Sequence, residues 1–571
     1  MITPNFVRRA GPKAKGLDAL LRHRLLLARG EGDLRDLAIG QLLPPDDLLG
    51  VEEGARAIAD AIARGVRIHV IADRDADGAT ACAVAVRGLK AFGAKVLYSV
   101  PNPLTEGYGL SPSLVERILP LRPGLILTVD NGISSLAGVE AANRAGVPVV
   151  ITDHHLPGAQ LPKAEVIINP NQPGCSFKSK CLAGVGVVFY LLVALKRLFR
   201  SREDARSHVP VAPLLDLVAL GTIADMVPLD RNNRILVAAG LHRIRAGRAS
   251  PGVAALFSVA GRPVKKASAF DLSFFIAPRV NSAGRLEDGT EGIACLITEV
   301  EEGAQRLAED LNRINFQRRE IQSAMQGQAE QLVQKFAGTQ HTSIVLYDAE
   351  WHPGCTSAVA SYLKEKLSRP VVIVAPAGDG FLKGSARSVP GLHIRDAFAE
   401  IDRQMPGAII RFGGHAMAAG LTLEEGRLEE FTERLGALSQ ARLAPSLPES
   451  AIEHDGPLSR HDLTVQNALW IESEPWGEGF PAPSFLVEAP VKGFSLLKGK
   501  HSKFVLELDG VKIEALLFNQ VIPDYSTVRV HGRLCVNEWN GRKTLQMIAT
   551  HILPGDGSRA GALETTVLAA S

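Results

Sequence analysis

The chain lacks the marks of several protein classes. Its six cysteines (Cys82, Cys175, Cys181, Cys295, Cys355, Cys535) include no C-x-x-C pair, which argues against a zinc ribbon or a disulfide framework and suits a reducing cytoplasm. No apolar run reaches the roughly 18–20 residues of a membrane span, and the first residues carry no signal-peptide-like apolar core. A cytoplasmic protein with no membrane contact is expected. An excess of one charge is also missing: 63 Lys and Arg stand against 61 Asp and Glu, a net charge of +2. Contact with nucleic acid would therefore need local basic clusters, not a global field. At 571 residues the chain is too long for one core, so three or four domains are expected.

What the chain does have is acid at strand ends. Asp73-Arg74-Asp75-Ala76-Asp77-Gly78 follows the apolar run Ile68-His69-Val70-Ile71, and Asp130-Asn131-Gly132 follows Leu125-Ile126-Leu127-Thr128-Val129. Asp153-His154-His155 follows Val149-Val150-Ile151. In an open α/β sheet, side chains at the carboxyl ends of neighbouring strands converge on one crevice. Carboxylates and imidazoles crowded there repel or sit desolvated unless a cation neutralises them. A fourth acid, Asp225 before Pro228, reads alone as a helix N-cap, but beside the other three segments it reads as a ligand. His69 sits inside a strand and reads as a buried structural histidine.

Asp and His suit Mn²⁺ or Mg²⁺, with Mn²⁺ favoured once imidazole takes part. Two such ions about 4 Å apart supply a hydroxide nucleophile and stabilise the departing oxygen of an in-line displacement. The economical reading is a two-ion site in a metal-dependent phosphoesterase.

Residues 1–50, rich in Arg and Leu, read as a helical lead-in. From 51 to 295 strands alternate with helical patterns, as in βα units around a mostly parallel sheet. Helices are expected over 79–92 and 182–198. A long connecting helix is expected over 296–337: Thr298 and Glu301 have capping-box spacing, and Leu307, Leu311, Ile314, Ile321, Met325, Ala329 and Leu332 recur at helical intervals. Arg313, Arg318, Arg319 and Glu320 between them read as a solvated face. A second α/β lobe spans 338–445, and Ala444-Pro445-Ser446-Leu447-Pro448 reads as a linker. Over 455–555, alternating strands at 504–508, 511–518, 528–534 and 544–548 predict a small β-barrel, and 556–571 a flexible tail.

These ordered segments resemble the DHH phosphoesterase family, and within it the RecJ branch of bacterial single-strand-specific exonucleases, from about residue 50 to 550. Further matching segments are Glu106-Gly107-Tyr108-Gly109-Leu110, Leu182-Ala183-Gly184-Val185-Gly186 and Pro278 to Leu286. Trp351-His352-Pro353-Gly354, Gly384-Ser385-Ala386-Arg387-Ser388 and Phe412-Gly413-Gly414-His415 complete the set.

The resemblance implies a DHH catalytic domain and a DHH-associated domain joined by the long helix, with a C-terminal OB-fold. It implies metal ligands Asp73, Asp75, Asp130, His154, His155 and Asp225, with Asp130 bridging two Mn²⁺ (or Mg²⁺) ions, and supporting roles for Asp77 and Asp153. Arg279, Asn281 and Arg285 would hold backbone phosphate, and Ser385, Arg387 and Ser388 a terminal 5′ phosphate. Gly414 and His415 would reach the scissile phosphate, His415 joining Asp130 and His155 as catalytic groups. Tyr108 reads as a base-stacking residue or steric gate, or else a core tyrosine. In the barrel, Trp476, Lys498, Lys500, Lys503 and Trp539 combine aromatics with cations, as single-strand platforms do.

The implied activity is 5′→3′ degradation of single-stranded DNA to mononucleotides, in repair and recombination. The implied actor is a monomer, with a helicase and a single-strand-binding protein as possible partners. A phosphodiesterase for short oligonucleotides or cyclic dinucleotides, and a non-catalytic scaffold, are the alternatives. Three positions depart from the family pattern: Arg74 replaces an aromatic residue, Pro103 an Arg, and Phe480 an Asn.

Overall fold

The computed structural model describes residues 5–9, 20–32, 35–102, 106–286, 289–334, 342–443, 451–556 and 567–568. Pro103 and the linker at 444–448 lie outside them. The chain forms two compact units: Met1–Val280 with Thr290–Ala308 and Ala451–Ser571, and Asn281–Gly289 with Glu309–Ser450.

The first unit holds a five-stranded parallel sheet. Its strands are β1 (Arg67–Ala72), β2 (Lys95–Ser99), β3 (Leu125–Val129), β4 (Val149–Thr152) and β5 (Val166–Ile168), ordered β2-β1-β3-β4-β5. β3 and β4 are buried along their whole length, which is why they read as unbroken apolar runs rather than alternating ones. The order reverses between β1 and β3. In such sheets the crevice outside the carboxyl ends opens at that switch point.

Three helices close over it: α1 (Ala76–Ala91), α2 (Gly184–Ser201) and α3 (Leu215–Ala224). Small residues let them approach closely. A Cβ on Gly221 of α3 would stand 2.1 Å from the Thr80 hydroxyl of α1. Helix α1 starts three residues before the position expected from apolar pattern, because Asp75 caps it by accepting from the Gly78 N–H at 2.9 Å.

Helix α4 (Ala277–Leu286) and a short helix at Thr290–Ile297 lead to the long helix α5 (Glu301–Gln334), whose first eight residues belong to the first unit and the rest to the second. Its start falls later than the capping-box reading, since Thr298 Oγ1 accepts from Val300 N at 3.3 Å, ahead of the helix.

The second unit is built on a mixed five-stranded sheet of β6 (Ile344–Tyr347), β7 (Val371–Gly378), β8 (Phe381–Arg387), β9 (Ile409–Gly414) and β10 (Ala418–Glu424). Only the β6–β7 pair is parallel. Helix α6 (Thr356–Leu367) packs on β7 and β8.

The barrel belongs to the first unit. Strands β11 (Phe485–Leu497), β12 (His501–Leu508), β13 (Val511–Leu517), β14 (Thr527–Trp539) and β15 (Arg542–Pro554) close, with β11 pairing both β12 and β14. Phe485, Phe504, Val530 and Met547 fill its core. The 13-residue strand β11 escaped the sequence pattern because Pro490 and a bulge between Val491 and Gly493 break its alternation.

The lead-in is more than helical. Asn5–Arg8 pairs in parallel with Ala451–His454, and Leu21 and Leu25 of the helix Leu21–Leu27 join the barrel core. Four residues are too few to show a period of two. Within the expected tail, Val567–Leu568 pairs with Leu496–Leu497, and residues 557–566 and 569–571 lie outside the described ones.

Charged clamps fix the barrel to a catalytic-domain helix and to the N-terminal lead-in. Arg234 reaches Glu31 (2.8 Å) and Glu474 (3.1 Å), its guanidinium 3.9 Å from the Phe480 ring centroid. The buried Arg29 donates Nη1 and Nη2 to Asp455 at 2.8 and 2.9 Å. Arg29→Met removes the bidentate partner of the buried Asp455 carboxylate and leaves it only Arg9 Nε at 3.9 Å and the Ser484 N–H at 3.1 Å. The expected cost is about 3–5 kcal/mol, read as a lowered urea midpoint of the barrel; an unmoved midpoint would show that the pair contributes nothing.

Candidate metal centre

The site grows from the β1–β3 switch point. After β1 the chain turns sharply into α1, and Asp73 Oδ1 accepts from the Arg74 N–H at 2.7 Å. Asp77, one turn on, is buried and accepts from Gly184 N (2.6 Å) and Val185 N (2.9 Å), so it seats the N-terminus of α2 beside the crevice.

Asp130, directly after β3, adopts a left-handed backbone with φ +61°, which a non-glycine residue holds only when its surroundings impose it. Those surroundings are explicit. Asn131 Nδ2 donates to Ile71 O (3.0 Å) and Val129 O (2.9 Å), and Thr128 Oγ1 donates to Asn131 O at 2.7 Å. Gly184 leaves room for the carboxylate, since a Cβ there would lie 2.4 Å from Asp130 Oδ1.

After β4, Asp153 acts as an anchor. Its Oδ1 accepts from the backbone N–H groups of His154 (2.7 Å) and His155 (3.1 Å) and from His155 Nδ1 (2.8 Å), while Oδ2 accepts from Ile133 N at 2.9 Å. Spending Nδ1–H on Asp153 leaves the His155 Nε2 lone pair for a ligand. Asn171 and Asn169 hold the His154 and His155 carbonyls at 2.6 and 2.9 Å.

His154 Nε2 collects the acids. It stands 3.2 Å from Asp130 Oδ1, 3.4 Å from Asp225 Oδ2 and 4.0 Å from Asp77 Oδ2. Asp225 reaches it as the C-cap of α3, with its N–H on Gly221 O; the N-cap alternative is not realised. Three ligand groups result: Asp130, His154 and His155; Asp77, His154 and Asp225; Asp73, Asp75 and Asp130. Asp130 and His154 each belong to two of them. His69 lies apart, buried in β1 with Nε2 2.9 Å from Ser99 Oγ.

The electrostatics fit cations. Asp130 Oδ1 and Asp225 Oδ2 are buried with no hydrogen-bond partner among the described residues. Burial first, then repulsion from neighbouring carboxylates, raises Asp73 to about 7 and Asp225 to about 9, and lifts Asp130 well above its ordinary value. Burial pulls His155 down, but the bond to Asp153 outweighs it and brings the imidazole up to about 9. Orphaned buried acid oxygens suit Mn²⁺ or Mg²⁺, as does a histidine whose Nδ1 is held by Asp153 and whose Nε2 proton a bound cation displaces.

Tyr108 is no core residue. The residue is 47% exposed, its ring edge-on to His155 at 6.4 Å and its hydroxyl 3.5 Å from Asp130 O. In the second unit, Ser385 Oγ lies 3.0 Å from Thr356 Oγ1, and Arg387 bonds Ser357 (2.6 Å) and Ser361 (3.0 Å) on α6. Ser388 does not offer an open hydroxyl: it is fully buried and donates to Leu392 O at 2.7 Å.

Asn281 and Arg285 are four residues apart on α4 and share a face, whereas Arg279 points elsewhere around the helix, its Nη1 on Phe275 O at 2.5 Å. Arg285 gathers with Arg318 and Arg387; burial first, then the nearby Arg285 charge, pulls the last two below the ordinary guanidinium value. Exposed His415 sits on the β9–β10 turn that Gly414 begins, its N–H on Ala418 O at 2.8 Å.

In the barrel, Lys498 and Lys500 are exposed and Lys503 pairs with Glu514 at 2.6 Å. Trp476 is not an open platform. It stacks on Phe480 at 5.4 Å under the Arg29 guanidinium, and its indole N–H is taken by Ile471 O.

Sequence reasoning missed Asn131, Asn169, Asn171 and Arg318. Asn169-Pro170-Asn171 did carry a signal, as a polar cluster closing a further apolar run; Arg318 looked like one charge among many on a long helix.

Fold and site together define a DHH-family protein with an Asp/His metal centre. The family models agree: the DHH family N-terminal domain matches residues 67–222, the DHHA1 domain 340–440 and the RecJ OB domain 454–551. The chain is 44% identical over 556 residues to the single-stranded-DNA-specific exonuclease RecJ of Escherichia coli (strain K12), covering 94% of this chain and 96% of the relative. The crystal structure of RecJ in complex with Mn²⁺ from Thermus thermophilus superposes with a TM-score of 0.78 at 32% identity, covering 94% of this chain and 76% of that one. The Mg²⁺ complex from the same organism gives 0.71 at 30%, covering 93% and 74%. The chain belongs to the RecJ family.

Two outcomes are expected. An acid raised on folding keeps a proton that the unfolded chain releases near pH 4, so it costs stability as pH rises. In EDTA, Asp225→Asn should therefore gain Tm relative to the parent between pH about 4 and 9, and excess Mn²⁺ should reverse the order. A constant Tm difference across that range would refute the assignment. Gly184→Ala, which displaces Asp130, should weaken Mn²⁺ binding by about tenfold or more in calorimetry without altering the circular dichroism.

Proposed function

We propose that this chain is a 5′→3′ exonuclease that hydrolyses single-stranded DNA to mononucleotides, serving repair and recombination in the cytoplasm as a monomer. The observation that carries the reading is the pair of orphaned acid oxygens, Asp130 Oδ1 and Asp225 Oδ2, converging on His154 Nε2. The RecJ names of the relatives supply its substrate. A single strand carrying a 5′ end is the ligand, and a helicase and a single-strand-binding protein are the partners such an enzyme would use.

When bound, divalent ions held by Asp73, Asp75, Asp130, His154, His155 and Asp225 would activate water and neutralise charge building on the departing oxygen. Asp130, common to two ligand groups, is the natural bridge between ions. Asp153 keeps His155 in the tautomer that offers Nε2, and Asp77 fixes α2 so that Gly184 stays clear of Asp130. Half-exposed Tyr108 flanks His155 where a nucleotide would lie. Arg285 and Arg387, with Ser385, form the cationic patch we assign to the terminal 5′ phosphate; Arg318, gathered with them, extends it. Gly414 and His415 supply a polar hairpin tip for the scissile phosphate, while Arg279 and Asn281 contact backbone phosphates from separate faces of α4.

Digestion of 5′-tailed, 3′-tailed and circular single strands with Mn²⁺ tests polarity: only the 5′-tailed substrate should shorten readily. Cleavage of circles, or equal loss from both ends, would sink the reading. A preference for dinucleotides over long strands would favour the short-oligonucleotide alternative. Asp130→Ala should abolish hydrolysis and leave strand binding measurable by anisotropy; turnover that survives would exclude the bridging role.

A further inference from the structure

The catalytic domain carries an aromatic pair that the metal centre does not use. Phe270 and Phe274 are 43% and 64% exposed, with ring centroids 4.6 Å apart. Adjoining exposed apolar rings mark a binding surface more often than singly exposed side chains do.

The backbone is built to hold them there. Ser268 and Asp271 form a reciprocal capping box, and Arg262 Nε donates to Asp271 Oδ1 at 2.6 Å. The next turn, Leu272–Ile276, is a π-helix whose widened winding turns Phe274 outward while Leu272 and Ile276 stay buried.

One cation stands against the pair and a second against the neighbouring Phe275. The Arg533 guanidinium of β14 lies 5.4 Å from the Phe270 centroid, and that of Arg262 4.5 Å from the Phe275 centroid. Lys266 pairs with Glu538 at 2.6 Å, on the face of β14 opposite Arg533 and Trp539. Side chains on a strand alternate faces, so Arg533, Asn537 and Trp539 project from the same side. Their antiparallel partners Ile548, Thr544 and Arg542 share that side. Trp539, 73% exposed, ends this ribbon roughly 20 Å from Arg533.

The geometry points to Phe270 and Phe274 as a base-stacking subsite for a single strand lying along the outer face of β14, with Arg533 between the bases and their phosphates and Trp539 as a second stacking station. Exposed rings interleaved with guanidinium groups match nucleobases and their backbone, and they provide no acidic or hydrogen-bonding specificity for a particular base. The subsite would be sequence-tolerant. It rests on the single-strand reading proposed above and extends it away from the metal centre.

The test is anisotropy of a labelled long oligothymidylate with the full chain in EDTA, where hydrolysis is silent. Phe270→Leu with Phe274→Leu keeps the apolar bulk and removes the stacking faces, so affinity should fall about tenfold, while Phe270→Tyr with Phe274→Tyr should bind as the parent does. Equal affinity of the leucine pair and the parent overturns the subsite, and parental digestion of a 5′-tailed strand would then leave the exonuclease reading standing. A parent that binds no single strand overturns both. If the leucine pair loses its circular dichroism signature, Phe274→Trp decides: its added emission should be quenched by oligothymidylate, and unquenched emission overturns the subsite.

Discussion

Repulsion among buried carboxylates at one edge of a parallel sheet is the constraint on which the rest of the molecule depends. Two unit charges about 4 Å apart repel by about 4 kcal/mol at the effective dielectric of a protein surface. Asp73, Asp77, Asp130 and Asp225, with the exposed Asp75 beside them, share a crevice with His154, so protons or cations that neutralise the cluster stabilise it. Much of the surrounding architecture holds these groups together against that repulsion. Asn131 and Thr128 impose the left-handed conformation of Asp130. Asp153 ties down two consecutive backbone amides and an imidazole, and its own charge is satisfied four times. Glycines at positions 184 and 221 let α2 and α3 close in until Asp225 can reach His154.

Each unit carries a local charge cluster of its own. The first presents the acids; the second gathers Arg285, Arg318 and Arg387 with hydroxyls from α6. A near-neutral total therefore conceals two local clusters, the acids suited to metal ions and the guanidinium groups to phosphate. The barrel belongs with the acids. Arg234 binds it to a catalytic-domain helix and Arg29 to the N-terminal lead-in through buried or nearly buried ion pairs, and Phe480 fills the seam between the Trp476 indole and the Arg234 guanidinium. A polar Asn at 480 would offer neither a stacking face nor apolar bulk, so the departure at this position has a packing reason. Nothing in the structure explains Arg74 in place of an aromatic residue.

The metal centre was legible because each of its segments is local: an apolar run, then acid or histidine within a residue or two. Asp225 needed company to be read, since a lone acid after Thr-Ile-Ala carries no sign of which end of a helix it will cap. Ser388 and Trp476 were misread for one shared reason. A hydroxyl beside Arg387 and a tryptophan among glycines look exposed in one dimension, yet Leu392 O and Ile471 O claim their donors once the chain has folded. Strand β11 went unseen because Pro490 and its bulge erase the period on which strand recognition relies.

By itself the sequence determined the order of the acidic strand ends, the ligand chemistry they carry, the alternation of strands and helices that makes the sheet parallel, and the chain's membership of its family. These follow from short-range patterns, because burial on both faces of a strand and the turn after it are written in adjacent residues. Only the tertiary structure decided which oxygens meet at His154, that the barrel and the catalytic sheet form one unit with the residue 5–8 strand, and that Phe270 and Phe274 stand in solvent beside β14. Those outcomes depend on strand order, on helix approach distances set by single glycines, and on ion pairs between residues hundreds of positions apart, and none of these leaves a local trace in the chain.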